Sequence, residues 1–183
     1  MLTNRLRLEP VSVHHAEGLY RAALSSRVEL LPWMPWARQI TLAGNQRATA
    51  QDERAWNAGE TFHFAAIEHA LVLGVIGLKP DGDQRAWLHY WNRSDRTGLG
   101  YATEAAERVL RWGVDQLSLR RLSLWAGIDN RPSRRVAEKL GFVDVGPMPE
   151  PMQGGLGVFA AERYERPVEP EAVFTDQVKP FHG

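Results

Sequence analysis

The sequence contains no cysteine. Disulfides, thiolate zinc sites and a cysteine nucleophile are therefore excluded, and a reducing cytoplasm fits. Neither sign of charge is in excess, since Lys plus Arg and Asp plus Glu both number 22. That balance argues against a general nucleic-acid binder or a membrane-surface protein, so neither partner is expected. No apolar run approaches the roughly 20 residues that span a bilayer. The arginines in "MLTNRLRLEP" interrupt what would be the apolar part of a signal peptide. There is no G-x-x-x-x-G-K-[ST] and no H-E-x-x-H. His14 and His15 are sequential and face different ways on a helix, so no metal is expected.

What is present is an ordinary globular composition. The chain has 183 residues, 44% of them apolar and 24% charged. One domain with a sizeable core is the default. The tryptophan count of seven is high, which makes some available to line a pocket. "LTNRLRLEP" alternates Leu2, Leu6 and Leu8 with polar residues and stops at Pro10, which predicts an edge strand. Ser12 caps a helix whose apolar face carries Ala16, Leu19, Tyr20, Ala23 and Leu24. "LLPWMPW" is a loop on account of its prolines. A helix at roughly 41–58 and two strands in "TFHFAAIEHALVLGVIGLK" follow, the strands turning near His69–Ala70. Next come a turn at "DGD", a strand "RAWLHYW", a helix at roughly 101–116 and a strand "RLSLWAGI". "NRPSRRVAEKL" reads as a short helix capped by Asn130 and stopped by Gly141. "FVDVG" and "LGVFAAERYE" are the last two strands.

Strands outnumber helices, which disfavours a doubly wound parallel sheet. The expected class is α+β, with a mixed, mostly antiparallel seven-stranded sheet flanked by about four helices. Residues 1–166 form the single domain, and 167–183, with three prolines, form an extended tail.

The stretch "RTGLGYATEAAERVL" stands out, because two glycines directly precede an amphipathic helix. A helix N-terminus carries unpaired N–H groups and a partial positive charge. With no side chains at Gly98 and Gly100, phosphate oxygens can approach those groups closely. A tight turn alone would also account for the glycines. The dinucleotide fingerprint G-x-G-x-x-G fails, because residue 103 is threonine.

"TGLGYATEA" resembles the acetyl-CoA pyrophosphate loop of the GNAT superfamily of N-acetyltransferases. Thr97 to Ala102 occupy that loop, and Gly98, Gly100 and Ala102 match its pattern. Thr97 stands where Gln or Arg is usual, with Arg96 just before it. "LRLEP", "LPWMPW", "VIGL", "YW" and "NRPSRRVAEKLGF" follow in the order seen in the ribosomal-protein alanine/serine N-acetyltransferase branch. The resemblance covers roughly residues 2–166.

The resemblance implies a GNAT-like fold in which two parallel strands, here "RAWLHYW" and "RLSLWAGI", splay around a pantetheine arm. It implies acetyl-CoA as cosubstrate and coenzyme A as product. Tyr90, Trp91, Asn92 and Arg93 would lie beside the arm, where a backbone N–H can polarise the thioester carbonyl. Arg96, Thr97, Gly98, Leu99, Gly100, Tyr101, Ala102 and Thr103 would form the pyrophosphate loop. Asn130 matches a cofactor-contacting asparagine, and an N-cap role is compatible with that. Ser133 matches a serine that protonates the departing thiolate, although a helix's first turn favours serine in any case. Tyr101 and Tyr164 lie in the wrong motifs for that task.

The branch's glutamate in "G-F-x-x-E-G" is Val145 here, and neighbouring Asp144 points to the opposite strand face. His89 is the substitute base, its residue type suiting proton transfer near neutral pH; a space-filling histidine is the bland alternative. His63 and Glu68 are lesser candidates, and a base acting through water remains open. Trp33, Met34 and Trp36 occupy the loop that borders the acceptor in relatives, where a hydrophobic plug is the competing role. The implied activity moves an acetyl group to a primary amine, of a protein N-terminus or a small molecule, by direct attack in a ternary complex. The alternative is an acyl-CoA-binding module with little or no transfer activity. Dimers are common in the branch, so a homodimer is a further expectation.

Overall fold

The computed structural model describes residues 1–168. In chain order the elements are β1 (Arg7–Pro10), α1 (Ala16–Ser25), α2 (Arg27–Leu30), α3 (Leu42–Asn57), β2 (Phe62–Glu68), β3 (Leu71–Pro80) and β4 (Arg85–Asn92). These are followed by α4 (Tyr101–Leu117), β5 (Arg121–Gly127), α5 (Arg131–Lys139), β6 (Val143–Pro147), β7 (Met152–Gln153), β8 (Val158–Phe159) and β9 (Ala161–Pro167). The starts of α3 and α5 follow side-chain caps, whereas α1 begins after a 3-10 turn (Val13–His15) that Ser12 precedes. Thr41 Oγ1 accepts from the Gly44 N–H at 3.0 Å, and Asn130 Oδ1 from the Ser133 N–H at 3.2 Å.

Seven strands form one sheet in the order β1-β2-β3-β4-β5-β9-β6. Every neighbouring pair is antiparallel except β4 and β5. Those two run parallel and pair only through Arg85–Trp87 and Arg121–Ser123. Beyond that point β4 stays paired with β3 to Asn92, and β5 with β9 to Gly127. Their facing edges therefore separate and leave a gap in the sheet.

Strand alternation sorts the side chains to two faces. On one face α4 and α5 cover Phe64, Ile76, Leu78, Leu88, Leu122 and Leu124, all buried. On the other, Leu19 of α1 packs with Ala65, Ile67 and Val75, and α3 lies beside α1. Among the described residues no helix is long and apolar enough to cross a membrane.

Four expectations change. Leu24 is 48% exposed, so the buried stripe of α1 runs through Ala16, Leu19, Ala22 and Ala23 instead. The one-turn α2 was not legible in its short, loop-flanked segment. "LGVFAAERYE" is not one strand: β8 pairs with β7 as a separate hairpin, and β9 begins only at Ala161. Finally, Pro167 ends β9 rather than starting a tail, and the Val168 N–H donates to the Arg120 carbonyl at 2.9 Å. The rest of the expected tail, 169–183, lies outside the described residues.

Candidate active site

A cleft of about 1390 Å³ passes through the gap between β4 and β5. A single small ligand usually occupies about 300–1,000 Å³, so there is room for two reactants.

One end of the cleft is backbone. Gly98 has φ +78° and Gly100 φ +83°, a region that side-chain-bearing residues enter at a cost. A Cβ on Gly98 would meet nothing within 4 Å, so the space above the loop is open. Gly100 caps α4 with no side-chain acceptor, which leaves the first-turn N–H groups without partners. The loop is tied from outside. Arg5 Nη1 donates to the Leu99 carbonyl at 3.0 Å and pairs with Glu104. The Tyr101 hydroxyl donates to Glu68, which also faces Arg96 Nε at 3.5 Å. Ser94 N–H donates to Ser26 Oγ at 2.9 Å. Arg93 is spent on Asp95, Nη2 to Oδ2 at 2.8 Å, and Asp95 is held below the ordinary carboxylate range by that contact. The geometry suits an anion met by main-chain donors. Arg135 and Lys139 of α5 bring two cations to the same cleft.

Tyr90 and Ser133 face each other across the gap, hydroxyl to Oγ at 2.9 Å. Burial pushes the Tyr90 phenol up to about 12, against a smaller opposing effect of the Ser133 hydrogen bond. Tyr90 is thus a protonated donor at any working pH. The Asn130 side chain serves as the α5 cap, and the residue also lines the cleft.

The other end is side chains. Trp33 lies against Gly127 and meets Phe159 edge-on, ring centres 5.2 Å apart. Trp36 stacks obliquely on Trp91 at 5.3 Å. The hairpin β7–β8 fastens this loop, the Gly155 N–H donating to the Leu31 carbonyl at 2.9 Å and Arg38 Nε donating to the Gly155 carbonyl. On the sheet below, His63 and His89 stand opposite Gly77 in one cross-strand row. Their Nε2 atoms are hydrogen-bonded to each other, and His63 Nδ1 contacts Asp52 Oδ1 at 2.8 Å. Burial pushes His89 down to about 3, and its neighbour His63 acts the same way.

Of the residues expected from sequence, Trp33, Met34, Trp36, His89, Tyr90, Trp91, Asn92, Arg96, Thr97, Gly98, Gly100, Tyr101, Ala102, Thr103, Asn130 and Ser133 all line this one cleft. Arg93 and Leu99 do not: one turns to Asp95, and the other is 53% exposed with its carbonyl held by Arg5. Glu68 is tied to the loop and Val145 sits on the sheet-edge strand β6, 44% exposed, so neither lines the cleft. Asp144 accepts from the Gly146 N–H at 2.9 Å. Sequence reasoning missed Asp52, Trp125 and the Tyr90–Ser133 contact. The even spacing of Leu88 and Tyr90 was a usable sign that Tyr90 shares the α5 face. Among the described residues no group of three His, Cys, Asp or Glu side chains is placed to hold a metal.

Comparison with known proteins agrees with this geometry. The chain is 26% identical over 149 residues to the putative ribosomal N-acetyltransferase YdaF of Bacillus subtilis, covering 79% of each chain. It is 22% identical over 145 residues to the ribosomal-protein-serine acetyltransferase of Escherichia coli, covering 78% of this chain and 81% of that one. A crystallised RimL, a ribosomal alpha-N-protein acetyltransferase in complex with coenzyme A, superposes with a TM-score of 0.85 at 16% identity, over 92% of this chain and 97% of that one. The family model described as "Acetyltransferase (GNAT) domain" matches residues 5–143, and with that match over most of its length the chain belongs to the GNAT acetyltransferase family.

Proposed function

We propose that the protein is an acetyl-CoA-dependent N-acetyltransferase that acetylates a primary amine, with a protein N-terminus as the first candidate acceptor. The observation that carries this reading is the gap between β4 and β5, which runs from the glycine loop to the histidine pair. Its chemistry fits the cosubstrate. The open cradle at Gly98 and the uncapped start of α4 would receive the pyrophosphate. The unpaired edges of β4 and β5 would hydrogen-bond the pantetheine amides as an added strand does. A main-chain N–H from Tyr90–Asn92 would polarise the thioester carbonyl. Ser133, backed by the Tyr90 hydroxyl, would give a proton to the leaving sulfur. Trp33, Met34 and Trp36 would border the acceptor.

The relatives named as ribosomal-protein acetyltransferases favour a protein acceptor over a small amine. A cytoplasmic enzyme, a catalytic unit spanning 1–166 and a homodimer complete the proposal. The test combines calorimetric titration of acetyl-CoA with thiol release against a panel of small amines and of peptides with free N-terminal serine or alanine. Binding with thiol release for one acceptor class is the expected result. A folded sample that binds no acetyl-CoA overturns the reading.

A further inference from the structure

The segment before β1 reaches the glycine loop from outside the cleft. It doubles back on β1, Leu2 pairing with Arg7. Thr3 and Arg5 thereby meet Glu104 in the first turn of α4, 101 and 99 positions further along the chain. Glu104 Oε1 accepts from the Thr3 hydroxyl at 2.5 Å and from the Arg5 N–H at 2.9 Å. Its Oε2 accepts from Arg5 Nε at 2.7 Å and Nη2 at 2.6 Å. The guanidinium lies over the Tyr101 ring, 4.3 Å from its centre. Burial works against the Glu104 anion, but the bonds from Thr3 and Arg5 hold it below the ordinary carboxylate range. The planar fork of Arg5 is thus fixed in direction, and its Nη1 is aimed at the Leu99 carbonyl, 3.0 Å away.

A trans peptide is planar, so its C=O and its N–H point opposite ways. The Leu99 carbonyl belongs to the same peptide as the Gly100 N–H. Arg5 and Leu99 stand outside the cleft, whereas Gly100 lines it. Holding the carbonyl outward therefore turns the Gly100 N–H inward, and that N–H has no partner among the described residues. Glycine tolerates both signs of φ, so position 100, at φ +83°, does little by itself to stop this peptide from flipping. A flipped peptide would present an oxygen to an anion instead of a donor.

We propose that Arg5 is a positioning residue for the pyrophosphate of the cosubstrate: it locks the Leu99–Gly100 peptide with its N–H facing the cleft. The inference rests on the acetyltransferase reading and adds what keeps the cradle in its binding form. Arg5 is 44% exposed, so attraction of the phosphates by its charge is the competing account.

The test uses the full chain, the panel peptide that gives the fastest thiol release, and two acetyl donors. One is acetyl-CoA, and the other is S-acetylpantetheine, which has the thioester arm without the pyrophosphate. Arg5→Ala should weaken acetyl-CoA binding by calorimetry, and raise its KM, about tenfold, the worth of one hydrogen bond to a charged group. At saturating acetyl-CoA, kcat and the peptide KM should stay within about threefold of wild type, which also reports folding. With S-acetylpantetheine, kcat/KM should likewise stay within about threefold. Arg5→Lys keeps the charge and most of the stem but not the fork, and should lose acetyl-CoA affinity nearly as far. It carries the same test if Arg5→Ala fails to fold. An Arg5→Ala protein within about twofold of wild-type acetyl-CoA affinity overturns the proposal. So does an equal loss with S-acetylpantetheine, which assigns Arg5 to general stability, or full recovery in Arg5→Lys, which assigns it to charge. A wild-type protein that binds no acetyl-CoA overturns the acetyltransferase reading instead, and the role of Arg5 falls with it.

Discussion

The two ends of the cleft are built from different materials. The glycine-loop end is main chain: two residues at positive φ, an uncapped helix start and two unpaired strand edges. The histidine end is side chains from three elements, and a tryptophan loop lines the same cleft. A main-chain site needs particular residue types at fixed local spacing, so it is written in a short stretch of sequence. A side-chain site needs the register of several strands and the rotation of a helix, so it is spread along the chain.

The largest expected effect breaks the comparison by pH. The ordinary value of His89 is 6.5 and its folded value is about 3. Below 6.5 the unfolded chain binds a proton that the native ring refuses, so stability is full above that pH and is lost as pH falls toward 3. The loss from this one group is about 3 kcal/mol by pH 4. Denaturant unfolding at stepped pH measures it, and His89→Gln should flatten that part of the slope. An unchanged slope in the variant would mean that His89 is not the neutral ring described above.

The next effect sharpens the boundary between the ends, where Tyr90 meets Ser133. Ser133→Ala and Tyr90→Phe should each lower kcat about 10²-fold with little change in acetyl-CoA affinity. Steady-state kinetics with calorimetry separates the two. A change in affinity rather than turnover would assign the pair to binding.

Gly98→Val attacks the main-chain end alone. No neighbour lies within reach of the new Cβ, so the penalty is conformational. Strain of about 1–3 kcal/mol at such a φ should weaken acetyl-CoA binding by roughly tenfold or more. Acceptor KM should stay constant. Trp36→Ala is the mirror experiment and the mildest. Trp36 is 41% exposed, so its loss should raise acceptor KM only about threefold, with acetyl-CoA affinity intact.

The same contrast explains what was legible. The order of the main strands and long helices follows from alternation, helical spacing and caps such as Asn130. The glycine loop was readable because Gly98 and Gly100 report a backbone demand directly. The hairpin β7–β8 was not, since "MQGGLGVF" is glycine-rich and its strands are two residues each. Asp52 was not, because nothing in "TAQDERAW" says which strand residue α3 will meet. His89 was singled out from sequence, but its partner depends on the His63–Gly77–His89 row, which only strand register creates.

The clasp between Arg38 and Gly155 joins residues 117 positions apart in the chain. During synthesis the N-terminal part is made first, so Trp33 lacks its edge contact with Phe159 until residues 152–159 have emerged. The fastening of the tryptophan loop is therefore a late event in folding, governed by a long-range closure, while the glycine loop and α4 can form from neighbouring residues. A chain cut short before the hairpin would keep the glycine loop and lose the clasp on the tryptophan loop.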